Sequence, residues 1–128
     1  MERTIIATKN APAALGPYAQ ANKLGGFVFT SGQLGIDPAV GELVSGGVEA
    51  QAEQVMKNIS ELLKAAGSDF SCVVKTTIFL AHMNDFAAVN EIYGKYFDAN
   101  ALPSRSTVAV KTLPKDALVE IETIAYSE

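Results

Sequence analysis

The amino-acid sequence predicts an α+β fold, a six-stranded sheet with two helices on one face, from three observations. Apolar residues at Val48, Ala52, Val55, Met56, Ile59, Leu62, Leu63 and Ala66 keep the i, i+4, i+7, i+8 spacing of one helical face. Stretches rich in β-branched or alternating residues flank that helix on both sides, in the order ββ(β)αβαββ. The 128 residues, 48% hydrophobic and 19% charged, suffice for one core without disulfide or metal, because a chain this long buries roughly two-thirds of its unfolded surface.

In chain order, Thr4-Ile5-Ile6-Ala7 reads as a short first strand, followed by a loop through Pro12, Gly16 and Pro17. Residues 18–23 and 27–31 read as strands joined across Gly25-Gly26, since paired glycines accept positive φ cheaply. Residues 36–46 are turn-rich, with Asp37-Pro38 and Gly41. The helix that begins at Val48 meets a C′ stop at Gly67. Residues 73–80 form a strand, and a second helix starts near Asn84 or Asp85, side chains suited to an N-cap, and runs to about Phe97. Beyond Pro103, residues 105–110 and 118–126 alternate as strands around the Leu113-Pro114-Lys115-Asp116 turn. No repeat, low-complexity tract or linker divides the chain, so residues 1–128 read as one domain.

Two helices cover one face of such a sheet but hardly two. Along the last strand, one parity set is Val119, Ile121, Thr123 and Ala125; the other is Leu118, Glu120, Glu122, Ile124 and Tyr126. Both sets carry large apolar groups, which argues for self-association through the uncovered face.

Composition excludes several classes of function. A net charge of −4 lacks the basic excess that a phosphate backbone requires, so nucleic acid is not an expected partner. Cys72 is alone, Met1-Glu2-Arg3-Thr4 does not begin a secretory leader, and no apolar run approaches a membrane span. A soluble cytoplasmic protein is expected. One histidine and one cysteine leave no metal site, and neither a phosphate loop nor a GxGxxG pattern is present. Ser31 lacks the preceding glycine of a nucleophile elbow, because Phe29 occupies that place. His82 and Cys72 read as a loop histidine and a strand thiol.

Arg105 stands out as one of two arginines, at a strand start and on the same side as Thr107. Its planar fork of donors suits a small carboxylate, and an ion pair with Glu120 or Glu122 is the equally weighted alternative. Glu120 is either exposed or held to orient a water and take its proton, and a close arginine would lower its pKa. Asn90 shares a stripe with Phe86, Val89, Tyr93 and Phe97; an amide there is more often satisfied by backbone than by a ligand. Tyr18 follows the Gly16-Pro17 turn, and Thr30-Ser31-Gly32-Gln33 ends a strand with small residues whose backbone a ligand can approach.

Taken together, Gly16-Pro17-Tyr18, Thr30-Ser31-Gly32-Gln33, Val74-Lys75-Thr76-Thr77, Asn84-Asp85-Phe86, Pro103-Ser104-Arg105-Ser106, Leu113-Pro114-Lys115-Asp116 and Val119-Glu120-Ile121-Glu122 resemble the RidA (YjgF) family across essentially the whole chain. The resemblance implies a chorismate-mutase-like (bacillus-type) α+β fold with a six-stranded mixed sheet. It implies a homotrimer around a central β-barrel, with ligand sites between subunits. It also implies cofactor-free hydrolysis of 2-enamine and 2-imine acids, such as 2-aminoacrylate and 2-iminobutanoate, to 2-keto acids and ammonia. On that resemblance Arg105 fixes the substrate carboxylate and Glu120 handles the attacking water. Backbone around Ser31 and Gly32 orients the substrate, and Tyr18, Asn90 and Thr107 line or support the cleft. Many deaminating members carry cysteine where this chain has Thr107, which bears on rate and substrate preference. A metabolite-binding module without chemistry is the alternative, and a translation inhibitor or ribonuclease ranks last on charge.

Overall fold

The alternating stretches pair into one mixed sheet. In the computed structural model, which describes residues 1–127, the strands are β1 (Arg3–Ile6), β2 (Ala21–Leu24), β3 (Phe27–Thr30), β4 (Gln33–Leu34), β5 (Ile36–Asp37), β6 (Glu42–Leu43), β7 (Val73–Leu80), β8 (Ser104–Ala109) and β9 (Val119–Tyr126). The helices are α1 (Gly47–Ala65) and α2 (Phe86–Gly94). The strand order is β1-β2-β3-β9-β7-β8, with β4 continuing beside β9 through Gln33↔Ile121 and Leu34↔Glu120. β7 and β8 run parallel, joined by α2, and the other pairs of this sheet are antiparallel.

Gly25 and Gly26 take φ of 58° and 83°, the pair of positive angles that a two-residue hairpin turn needs between β2 and β3. α1 ends as its sequence predicts: Gly67 sits at φ 78°, Ser68 N–H donates to the Leu63 carbonyl and Gly67 N–H to that of Lys64. Lys23 Nζ adds a bond to the Ala66 carbonyl, a cation at the negative end of the helix dipole.

Several boundaries differ from expectation for physical reasons. Residues 18–20 are not strand, because Tyr18 N–H turns back to the Gly16 carbonyl and the Gln20 side chain is taken up by the preceding loop. The turn-rich segment contains β5 and β6, with β4 just before it, and Asn58 on α1 donates its amide to the carbonyls of Leu34 and Ile36. With β4 the sheet has seven strands where six were expected. The second helix opens with a 3-10 turn at Met83–Asp85, shows no side-chain cap, and stops at Gly94 short of Phe97. Phe97 instead packs edge-on against Phe70. Cys72 lies buried in the turn just before β7, not in the strand.

Both helices lie on one face. Val55, Met56, Ile59 and Leu63 of α1 and Val89 and Ile92 of α2 cluster with Val28, Ile78, Val119 and Ile121 of the sheet. Each such side chain, fully buried, contributes about 1.5–3 kcal/mol. Along β9 the set Val119, Ile121, Thr123 and Ala125 is buried, so Glu120, Glu122 and Ile124 point to the other face. That face is apolar and uncovered within the chain: Ile5, Phe27, Phe29 and Val108 remain 42–65% exposed. No helix among the described residues is long and apolar enough to cross a membrane.

Candidate active site

Arg105 pairs across the parallel ladder with Thr76, which is buried and bonded through its hydroxyl to Tyr93 at 2.7 Å. Residues opposite each other in a ladder share a face, so Arg105 rises on the helix side of the sheet. Its guanidinium lies 5.1 Å from the Tyr93 ring centroid and 5.5 Å from that of Phe86. Such stacking contributes on the order of 0.5–2 kcal/mol while leaving the planar fork of donors unspent. The ion pairs among the described residues are Lys64–Glu61 and Lys95–Glu53, so pairing of Arg105 with Glu120 or Glu122 is overturned. Those two glutamates leave the sheet on its opposite face.

Asn90 sits one helical turn beyond Phe86 and one before Tyr93, hence on the same stripe as the two rings flanking Arg105. No hydrogen bond to backbone holds its amide among the described residues, against the expectation that backbone would satisfy it. Thr107, two residues on from Arg105, shares its side of β8. Its Oγ1 is a buried hydroxyl with no hydrogen-bond partner, a situation that costs about 1–3 kcal/mol and that a polar ligand atom would relieve.

A second group of residues lines a cleft of about 490 Å³: Tyr18, Ser31, Gly32, Leu34, Lys115 and Glu120 are among them. Gly32 lets the Glu120 carboxylate come close, since a Cβ there would stand 2.8 Å from its Cδ and push it aside. Burial, followed by the neighbouring Glu122 charge, raises the Glu120 pKa above its ordinary value. Among the described residues no arginine opposes that shift, so the lowering expected from a close arginine is not found. Ser31 spends its groups inside the chain: N–H to the Gln20 carbonyl at 2.9 Å, Oγ to the Ala19 carbonyl at 2.6 Å. Ser31 thereby holds the segment that carries Tyr18, which itself is 55% exposed.

The candidate residues therefore form two groups. Arg105, Asn90 and Thr107 stand on the helix side at the β8 edge; Tyr18, Ser31, Gly32 and Glu120 meet around the cleft. Across the ladders Arg105 is level with Thr76 and Thr123, two strands away from β9, and Glu120 is three residues further along β9 on the other face. One chain does not bring the two groups together. The aromatic slot for Arg105 went unread in the sequence, although Phe86 and Tyr93 were on the stripe with Asn90; the missing signal was the pairing of β8 with β7. Lys115 was read only as a turn residue. Among the described residues no three His, Cys, Asp or Glu side chains gather as a metal site.

The fold is that of a known class. The conserved Rid family protein YyfA of Yersinia pestis, described as of unknown function, superposes with a TM-score of 0.95 at 49% identity, covering 98% of this chain and 99% of that one. E. coli TdcF, solved with bound serine, gives a TM-score of 0.91 at 43% identity, covering 98% and 99%. Residues 8–127 match the family described as Endoribonuclease L-PSP, and the chain belongs to this family, the RidA (YjgF) family. The mouse (Mus musculus) relative named 2-iminobutanoate/2-iminopropanoate deaminase is 54% identical, over 96% of this chain and 90% of its own length.

Proposed function

We propose that this chain is a cytoplasmic, cofactor-free deaminase that hydrolyses 2-imino acids such as 2-iminobutanoate and 2-iminopropanoate, and their enamine tautomers such as 2-aminoacrylate, to 2-keto acids and ammonia. The observation that carries this reading is Arg105: a guanidinium fixed between two rings, without a carboxylate partner, beside the orphaned Thr107 hydroxyl. The name of the mouse relative supports it.

The working unit in this reading is a homotrimer, chorismate-mutase-like, whose sheets pack their apolar open faces around a central barrel. Each site joins Arg105, Asn90 and Thr107 of one copy to Tyr18, Ser31, Gly32 and Glu120 of the next. Arg105 binds the substrate carboxylate bidentately, while Ser31 and Gly32 shape the wall against which the imine lies. Water adds to the electrophilic imine carbon as Glu120 takes its proton and passes it to the nitrogen; the hydroxyl proton of the resulting carbinolamine then moves to nitrogen by way of Glu120 as the carbonyl forms, the C–N bond breaks and ammonia leaves. In the single chain, burial and then Glu122 raise the pKa of this carboxyl, which makes it a better base for this step than an unperturbed glutamate. The imine carbon needs no further activation by a cofactor.

The test generates 2-iminobutanoate in situ with semicarbazide as a competing trap and follows the keto acid released. Wild-type protein should suppress trapping, and Arg105→Ala should lose more than about a hundredfold in kcat/KM. Equal behaviour of the two, with keto acid still bound by the wild type, would replace the enzyme with a binding module.

A further inference from the structure

The Glu120 cleft holds a second charged side chain that the reaction as written leaves unused. Lys115 lines the cleft with Glu120 and Tyr18, and no other cation among the described residues does. It does so from a backbone conformation that lysine rarely adopts, φ 59° and ψ 21°, followed by Asp116 at φ 54°. Six glycines supply the other positive φ angles among the described residues, so the chain places glycine at its left-handed turns except here. Aspartate tolerates this region through its short polar side chain; a long unbranched side chain has no such compensation.

The loop is also fixed. Leu113 and Ala117 are buried at its two ends, Asp116 N–H donates to the Leu113 carbonyl and Ala117 N–H to that of Pro114, both at 3.1 Å. Gln51 on α1 accepts the Leu118 N–H at 2.8 Å, clamping the exit into β9. An unfavourable backbone held on both sides thus keeps Lys115 at the wall of the cleft. Lys115 takes part in neither ion pair found among the described residues, in a chain whose net charge is −4.

We propose that Lys115 is a substrate-capture residue, whose charge draws the anionic imino acid to the Glu120 side of the site against the net negative charge of the protein. The inference rests on the deaminase reading and adds to it the step before Arg105 closes on the carboxylate. An exposed ammonium acts through a field that salt screens, so its effect falls on encounter and not on the chemical step.

The experiment measures steady-state hydrolysis of 2-iminobutanoate at low ionic strength and in about 0.5 M salt, where the Debye length falls to a few Å. Lys115→Gln should lower kcat/KM about three- to tenfold at low salt with kcat unchanged, and the deficit should close at high salt. Lys115→Arg should restore the wild-type value, and Lys57→Gln, which removes the same charge from the exposed side of α1, should have no effect. Lys115→Gly should raise the thermal midpoint yet lower kcat/KM as Lys115→Gln does, separating a strained functional residue from a mere turn residue. Wild-type kcat/KM in Lys115→Gln at low salt, or a deficit that persists at high salt, overturns the proposal. Titration of 2-oxobutanoate under the same salts separates the two readings. A wild type that binds the keto acid without turning over imine removes the deaminase, while salt-dependent weakening in Lys115→Gln still upholds capture. A wild type that binds no keto acid and turns over no imine overturns both.

Discussion

Burial and Glu122 both hold protons on the Glu120 carboxyl, burial more strongly. A base must be ionised to act, so kcat/KM falls as pH drops through the raised pKa of Glu120. Glu122→Gln removes the second cause and lowers that pKa. The acid limb of the kcat/KM profile should therefore move to lower pH, with the plateau at neutral pH kept, as a pH-rate series would show. An unmoved acid limb would mean that another group governs it. Neighbouring residues set the same carboxylate by shape: Gly32 leaves room for it where any Cβ would displace it. At the other group, Thr107 contributes a buried hydroxyl that is left without a partner.

Elements, more than single residues, position the cleft. The segment from Thr8 to Tyr18 has no regular structure of its own; Ser31 holds its end through Ala19, and the Gln20 side chain holds its first part. Gln20 accepts from Thr8 N–H at 2.8 Å and donates to the carbonyls of Thr8 at 3.0 Å and Pro12 at 2.8 Å, with Ala11 at 3.3 Å. Gln20→Ala should cost about 1–3 kcal/mol in chemical denaturation, because buried backbone groups lose their partners, and should speed amide exchange at Thr8. Unchanged exchange would show that the loop holds itself. This clamp was not readable in the sequence, where Gln20 reads only as one residue of the strand expected over 18–23. Local pattern sufficed for α1, with its 3.6-residue apolar period and Gly67 stop, and for β9, with the alternation of Val119-Glu120-Ile121-Glu122. It failed for β4, β5 and β6, two-residue strands set by distant partners: β4 pairs with β9, β5 with β6, and Asn58 reaches the Leu34 and Ile36 carbonyls from α1.

At the scale of the molecule, the legible feature was a sheet with two apolar faces and helices for only one of them. The exposed Phe27, Phe29 and Val108 are the physical form of that imbalance. The strand order was not legible, because alternation assigns each residue a face but says nothing about which strand lies beside which. For that reason Arg105 and Glu120 could be read as partners in sequence, although β7 stands between their strands and their side chains leave opposite faces.

That separation has a genetic consequence. If each site borrows its arginine from one copy and its glutamate from the next, Arg105→Ala and Glu120→Gln damage different halves of it. Co-expressed, the two inactive chains should assemble mixed rings in which about a quarter of the sites draw both intact halves by chance, and activity should return to about that fraction. Mixed oligomers verified by mass spectrometry but without activity would place both halves of each site in one chain. Where recovery occurs, two defective alleles in one cell complement each other, and a strain carrying both would conceal a lesion that either allele alone reveals.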